Sequence, residues 1–464
     1  MPDLSQRLAQ YAAGLTFDRI PEDVIAGAKL RVMDSLGCAV AAFHADASQV
    51  ARRVARGLGG NPQAEVVGEG FRTSADLAAF ANGVMIRYLD GNDTYLSKEA
   101  CHPSDNLAAV LAAAQAEGKG GRELLEGLVV SYEVLARLAD ASSIRDRGWD
   151  HVTYGAISAA AGVARVLGLD AATAREALAL AATPNIALRQ TRVGQLSMWK
   201  GAAFANAARN GLFAAYLARA GMTGPEEVFD GHRGFIRQVS GPLELPPFGG
   251  EGGRFKLLDT DIKHFPAEYH SQAAIEATLA VRERMQADGL DVAAVERVVV
   301  RTFKVAVEII GGEPEKWHPT TRETADHSMP YLVAVALTDG DVTAASFDPE
   351  RVRDPELHAL IQRIEVVEEP ALTARYPDFI PTEVEVTAAG RAYWERVDAP
   401  LGHHHNPMDQ AAVEAKFLTL TRPYLPEERA QAFFRAVARL EALEDLHELL
   451  EPLRIEAGEP PSRF

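Results

Sequence analysis

Cysteine is nearly missing. Cys38 and Cys101 are the only two in 464 residues, too few for a disulfide framework or an all-thiolate zinc centre. Basic charge is short as well: 47 Lys and Arg stand against 65 Asp and Glu, a formal charge of −18. A surface of that sign repels nucleic acid and anionic membrane, so neither is an expected partner. Long apolar runs are absent too, since Leu107–Ala114 falls far short of the roughly 20 residues that span a bilayer. The opening stretch Met1–Gln6 has no basic region leading into an apolar core, so no secretory signal is read there and a cytoplasmic location is expected. Phosphate-binding glycine loops, dinucleotide fingerprints and nucleophile elbows do not occur: Gly57-Leu58-Gly59-Gly60 follows no strand pattern, and Gly194 and Gly201 stand alone.

What is present is ordinary globular composition, 47% hydrophobic and 24% charged, which excludes a disordered chain. To about residue 220 the pattern is almost purely helical. Val24-Ile25, Ala28, Val32 and Leu36 recur at the three-and-four spacing of an amphipathic helix, and similar patterns cover Leu107–Glu117, Leu124–Asp140, Ile157–Leu167, Ala171–Ala182 and Ala202–Ala220. Asp170 reads as an N-cap. After Ser240, Gly241–Gly250 is dense in glycine and proline and reads as a loop or short linker. Val295–Thr302 reads as a strand from its β-branched content, and Pro381–Thr387 as a half-buried strand, with helical patterns at Ala273–Ala287, Tyr331–Thr338 and Pro355–Arg363. This middle section looks like a smaller α+β domain. Gln410–Leu420 and Glu427–Glu448 are helical again and suited to pack back onto the first domain.

Four polar constellations carry residue types suited to chemistry. The first runs from Leu89-Asp90-Gly91-Asn92-Asp93-Thr94-Tyr95 to Glu99-Ala100-Cys101-His102-Pro103-Ser104-Asp105-Asn106. A carboxylate near an imidazole favours the charged ring and sets up complementary protonation states for general acid/base work, although the same residues also make capped turns. The second, Arg189–Gly201, gathers Arg192 and Lys200 into a cationic island in an acidic chain. Arg offers a fork matched to carboxylate and Lys a compact charge, and a Lys200 awaiting a polyanion is expected to be poorly paired until the ligand arrives. The third, Asp261–Gln272, brings Lys263, His264, Glu268 and His270 close together; the fourth is Arg322–Tyr331, where Asp326 or Ser328 equally well caps a helix. A metal is not expected. Glu99-x-x-His102 is half of a di-iron pattern and is followed by Pro103, and His403-His404-His405 lacks ligand spacing.

Taken together, Asn92-Asp93-Thr94-Tyr95-Leu96, His102-Pro103-Ser104-Asp105-Asn106, Trp199-Lys200, Phe265–Gln272 and Ala325-Asp326-His327 resemble the MmgE/PrpD family, whose members include 2-methylcitrate dehydratases. The resemblance runs over nearly the whole chain. It implies a mainly α fold: an all-helical domain built from residues 1–262 and 405–464, and an α+β lid domain over 263–404. It also implies a homodimer and a cofactor-free lyase that removes water from a small tricarboxylate such as 2-methylcitrate. Asp90, Thr94, His102 and Lys200 fall at active-site positions, with Lys263 and His270 added from the boundary segment and Arg192 as a further carboxylate contact. Which of Asp90 and His102 is acid and which is base stays open. The family also contains cis-aconitate decarboxylases and other dicarboxylate enzymes. Decarboxylases tend to carry His directly after Phe-Pro-Ala, where this chain has Glu268. A common Gly-His-Pro-Arg-Asn-Pro motif reads here as Gly402-His403-His404-His405-Asn406-Pro407. A non-catalytic helical binding protein on the same fold is the reading from a different class; loss of Asp90, His102 or Lys200 would favour it, and all three are present.

Overall fold

The computed structural model describes residues 3–456; Met1 and Pro2 of the opening stretch and residues 457–464 of the expected C-terminal segment lie outside the described residues. The helices that position the site are α1 (Glu22–Ala41), α2 (Ala75–Tyr88), α3 (Gly121–Ala141), α4 (Val152–Val166), α5 (Trp199–Arg219), α6 (Gln272–Ala287), α7 (Met329–Asp339) and α8 (Gln410–Thr421). Asp170 caps the helix Ala171–Ala182 as expected, its carboxylate accepting from the Thr173 N–H at 2.8 Å. The fold is mainly α with a smaller α+β part.

The chain divides into two compact units. The first contains the residues up to Arg192, Met198–Ile262 and the C-terminal segment from Asp409; the second is Lys263–Met408 with Val193–Ser197. The first unit is a helical bundle in which small residues bring backbones close. A β-carbon at Gly211 of α5 would lie 2.5 Å from the Ala156 carbonyl oxygen of α4, so only glycine permits this crossing. The C-terminal segment returns to this unit: α8 packs on α1, and the Ile455 N–H donates to the Gly68 carbonyl at 2.8 Å.

One helical expectation fails in that return. The single helix expected over Glu427–Glu448 stops at Ala438, and a 3₁₀ turn (Leu440–Ala442) and a short helix (His447–Leu450) follow. The cause is tertiary. The Gly121 N–H at the start of α3 donates to the Leu443 carbonyl at 2.8 Å, and a β-carbon at Gly121 would meet the Leu440 carbonyl oxygen at 1.7 Å. Docking against this glycine turns carbonyls outward that a continuous helix would keep for itself.

The second unit holds a four-stranded mixed sheet: β1 (Val295–Thr302), β2 (Ile364–Glu368), β3 (Thr382–Ala388) and β4 (Arg391–Val397), in spatial order β2-β1-β3-β4. β1 and β2 are parallel and the other pairings antiparallel. β3 alternates as expected, burying Val384, Val386 and Ala388 while Glu383 and Glu385 are only half-buried. α6 packs against β3 and β4 and also against α7. β4 is an edge strand that carries Arg391, Glu395 and Arg396, charges that discourage pairing with another chain. Among the described residues, no helix is long and apolar enough to cross a membrane.

Candidate active site

The first polar constellation begins where α2 ends. Arg87 sits in its last turn and Asp90 follows with φ 57°, the left-handed region that Asp tolerates better than most residues. The bend turns the Asp90 carboxylate onto two cations: Oδ1 bonds the Arg87 guanidinium, and Oδ2 lies 3.2 Å from Lys200 Nζ. Lys200 belongs to the first turn of α5, whose approach depends on Gly201. A β-carbon there would lie 2.8 Å from the Tyr88 ring and 3.1 Å from the Tyr88 Cα. Lys200 and Asp90 are both buried. The expectation that Lys200 is poorly paired until a ligand arrives is therefore corrected: a carboxylate already faces it.

His102 is held on both ring nitrogens. Nδ1 lies 2.7 Å from the Asp93 carbonyl oxygen and 3.2 Å from Thr94 Oγ1; Nε2 lies 2.9 Å from an Arg87 nitrogen. A carbonyl only accepts and a guanidinium only donates, so these contacts suit the tautomer with its proton on Nδ1 and the Nε2 lone pair facing Arg87. The expectation of an acidic side chain beside this ring is met differently. The Asp93 carboxylate is taken by the Ser104 N–H at 2.9 Å and the Tyr132 hydroxyl at 2.7 Å, and the backbone of Asp93, not its carboxylate, reaches the imidazole. Burial pushes the Asp93 carboxyl above its usual range, against those two hydrogen bonds. Thr94 is fixed through its backbone, exchanging two 2.8 Å hydrogen bonds with Asp261.

Behind Arg87 lies Asp105, one oxygen accepting from Asn92 Nδ2 at 2.7 Å and the other 3.6 Å from Arg87 Nε. Burial outweighs the guanidinium and pushes this carboxyl up to about 7. Arg87, absent from the sequence reading, thus links Asp90, His102 and Asp105. Its signal was weak because it closes an apolar helix.

A second imidazole also escaped the sequence reading. His151 Nδ1 lies 2.9 Å from Asp150 Oδ1, and Arg192 Nε donates to Asp150 Oδ2 at 2.9 Å. Burial raises the Asp150 carboxyl, but Arg192 and His151 outweigh it and hold the group well below the carboxylate range. Burial also lowers the His151 ring, keeping it neutral despite Asp150. Its Nε2 has no hydrogen-bond partner among the described residues, and its ring meets that of His102 edge-on at 5.6 Å. The expected carboxylate contact Arg192 is committed through Nε to Asp150 and through one terminal nitrogen to the Lys200 carbonyl at 3.1 Å; its other terminal nitrogen is buried without an acceptor among the described residues.

In the second unit, Lys263 and His270 are both buried. His270 Nδ1 lies 2.7 Å from Glu268 Oε1, and its Nε2 lies 3.4 Å from the Tyr376 hydroxyl. Burial raises the Glu268 carboxyl, yet His270, His327 and Lys263 outweigh it and hold the group below its usual value. Asp378, His404 and His405 each bring one donor atom within 4.8 Å of the others at an exposed surface, so two of the three consecutive histidines converge with a carboxylate.

Residues 6–247 match the family model of the MmgE/PrpD N-terminal domain, and residues 265–442 that of the MmgE/PrpD C-terminal domain. The chain is 32% identical over 402 residues to the 2-methylcitrate dehydratase of Salmonella typhimurium, covering 82% of each chain. It is 30% identical over 438 residues to the 2-methylcitrate dehydratase of Cupriavidus necator, covering 89% of each. It is 28% identical over 466 residues to the cis-aconitate decarboxylase of Homo sapiens, covering 96% of this chain and 93% of that one. With the two domain models matched in order along most of its length, the chain belongs to the MmgE/PrpD family.

Proposed function

We propose that the protein is a lyase of the hydro-lyase type, eliminating water from 2-methylcitrate to give 2-methyl-cis-aconitate by acid/base catalysis with its own side chains. The observation that carries this reading is the network in which buried Asp90, Arg87, Lys200 and Thr94 meet the half-buried His102 in one unit, joined to relatives that bear the dehydratase name. Elimination needs a base for a proton on the carbon beside a carboxylate, an acid for the departing hydroxyl, and cations for the carboxylates.

His102 enters as a neutral ring, which suits the base. A substrate carboxylate that draws the Arg87 guanidinium onto itself frees the Nε2 lone pair to take the carbon-bound proton. Lys200, an ammonium beside Asp90, donates toward the hydroxyl, which leaves as water as the double bond forms. The same cations stabilise negative charge building on the adjacent carboxylate. Thr94 and the Asp93 carbonyl hold the His102 ring in its tautomer. His151, with an available Nε2, is a second base within the same cluster, and the spare Arg192 nitrogen is a carboxylate contact. Lys263 and His270 stay in the proposal as carboxylate contacts on the family resemblance. The proposed form is a cytoplasmic homodimer, which light scattering of the purified protein tests.

Incubation with 2-methylcitrate should raise ultraviolet absorbance, because dehydration conjugates the new double bond with a carboxylate. Carbon dioxide release from cis-aconitate, with no absorbance rise on 2-methylcitrate, would transfer the assignment to decarboxylation, the activity named for the human relative.

A further inference from the structure

The turn that aims Asp90 is gripped from the far end of the chain. Lys416 of α8 donates to the Gly91 carbonyl at 2.7 Å and bonds Asp34 on α1. Lys416 and Asp34 are both buried, and the second Asp34 oxygen has no hydrogen-bond partner among the described residues. As a source of stability this is a poor arrangement. Two charges have left water, burial raises the Asp34 carboxyl in spite of Lys416, and well-packed apolar residues would often serve stability as well or better. What the pair does provide is placement. It puts an ammonium on the peptide next to Asp90, a residue whose left-handed backbone is strained unless its surroundings hold it.

We infer that Lys416 is a positioning residue of the proposed active site: by holding the Gly91 carbonyl it locks the turn in which the Asp90 carboxylate faces Lys200 and Arg87. The returning C-terminal helix thereby supports a network whose members Arg87, Asp90, Thr94, His102 and Lys200 lie in the first 200 residues. The expected loss of turnover rests on the proposed function; the backbone role of Lys416 does not.

The test uses the full-length chain with Lys416→Met, which keeps the length of the stem and removes the ammonium, alone and combined with Asp34→Asn. The double variant leaves no uncompensated buried carboxylate and so protects the fold. A crystal structure of the double variant should show Asp90 outside the left-handed region or its carboxylate turned from Lys200. Turnover on 2-methylcitrate should fall about 10- to 100-fold, the scale of an ångström-sized misplacement, with KM changed less than about threefold. Lys416→Arg should restore at least part of that turnover. His447→Gln breaks a different tie of the same C-terminal segment, the 2.9 Å contact with Glu65, and should leave kcat unchanged. An Asp90 that keeps its conformation in the double variant, or a kcat loss matched by His447→Gln, overturns the inference. If the wild-type protein does not act on 2-methylcitrate, the substrate reading fails while the Asp90 conformation still decides the role of Lys416.

Discussion

Replacing Asp105 with Asn should remove a pH dependence of stability that the wild-type chain carries. Asp105 is fully enclosed, its carboxylate has among the described residues a single hydrogen bond, from Asn92, and it faces Arg87 at 3.6 Å, too far to bond. Burial therefore dominates and pushes its carboxyl up to about 7, against about 3.9 in an unfolded chain. Between those values the native state holds a proton that the unfolded state has released, so stability falls as pH rises. The contribution is fully present below about pH 4 and is lost as pH rises through about 7. Three units at about 1.4 kcal/mol each make on the order of 4 kcal/mol, of which about 3 kcal/mol falls between pH 5 and 8. Asn stays neutral and can still accept from Asn92. Urea denaturation of both proteins at pH 5, 6, 7 and 8, followed by circular dichroism and tryptophan fluorescence, gives the difference directly. The wild-type stability should fall relative to Asp105→Asn by a few kcal/mol across that range; parallel curves would refute burial as the controlling influence on Asp105.

His102→Asn should reduce turnover by about 10²–10⁴, the usual range for one acid or base, while a direct binding measurement changes much less. Lys200→Met should lower turnover and also stability, by about 3 kcal/mol or less, because it strips one partner from a buried pair while Arg87 still faces Asp90; denaturation midpoints check the second effect. Gly201→Ala should destabilise in spite of a helix-propensity gain of up to about 1 kcal/mol. The new methyl meets the Tyr88 ring and backbone, so a loss of about 1–2 kcal/mol should accompany a drop in kcat as Lys200 is displaced.

The spacing of apolar residues made most of the helices legible, and Val295–Thr302 was readable as a strand because its valines cluster. Ile364–Glu368 and Arg391–Val397 were not, since the first is short and acidic and the second is an edge strand whose charges hide its apolar face. The break after Ala438 was invisible because Gly121, more than 300 residues earlier, imposes it. For the site, the sequence supplied the chemical types and their order: Asp90, Thr94, His102 and Lys200 do meet in one network. It did not supply the pairings. Which oxygen of Asp93 reaches His102, that Arg87 joins three groups, and that Asp150 orients His151 are all consequences of helix packing. His151 stands as a lone imidazole in sequence; the Arg192 that bonds its neighbour Asp150 lies 42 residues further along the chain.

Dehydration of 2-methylcitrate by these side chains alone can be tested in a single assay. Purified protein, exhaustively treated with chelator, is mixed with 2-methylcitrate while ultraviolet absorbance is followed, with His102→Asn in parallel. Absorbance should rise at an unchanged rate after chelation, and the rate should be at least about a hundredfold lower in His102→Asn. Activity abolished by chelation and restored by one specific metal, or a His102→Asn variant as fast as the wild type, would contradict dehydration by these side chains alone.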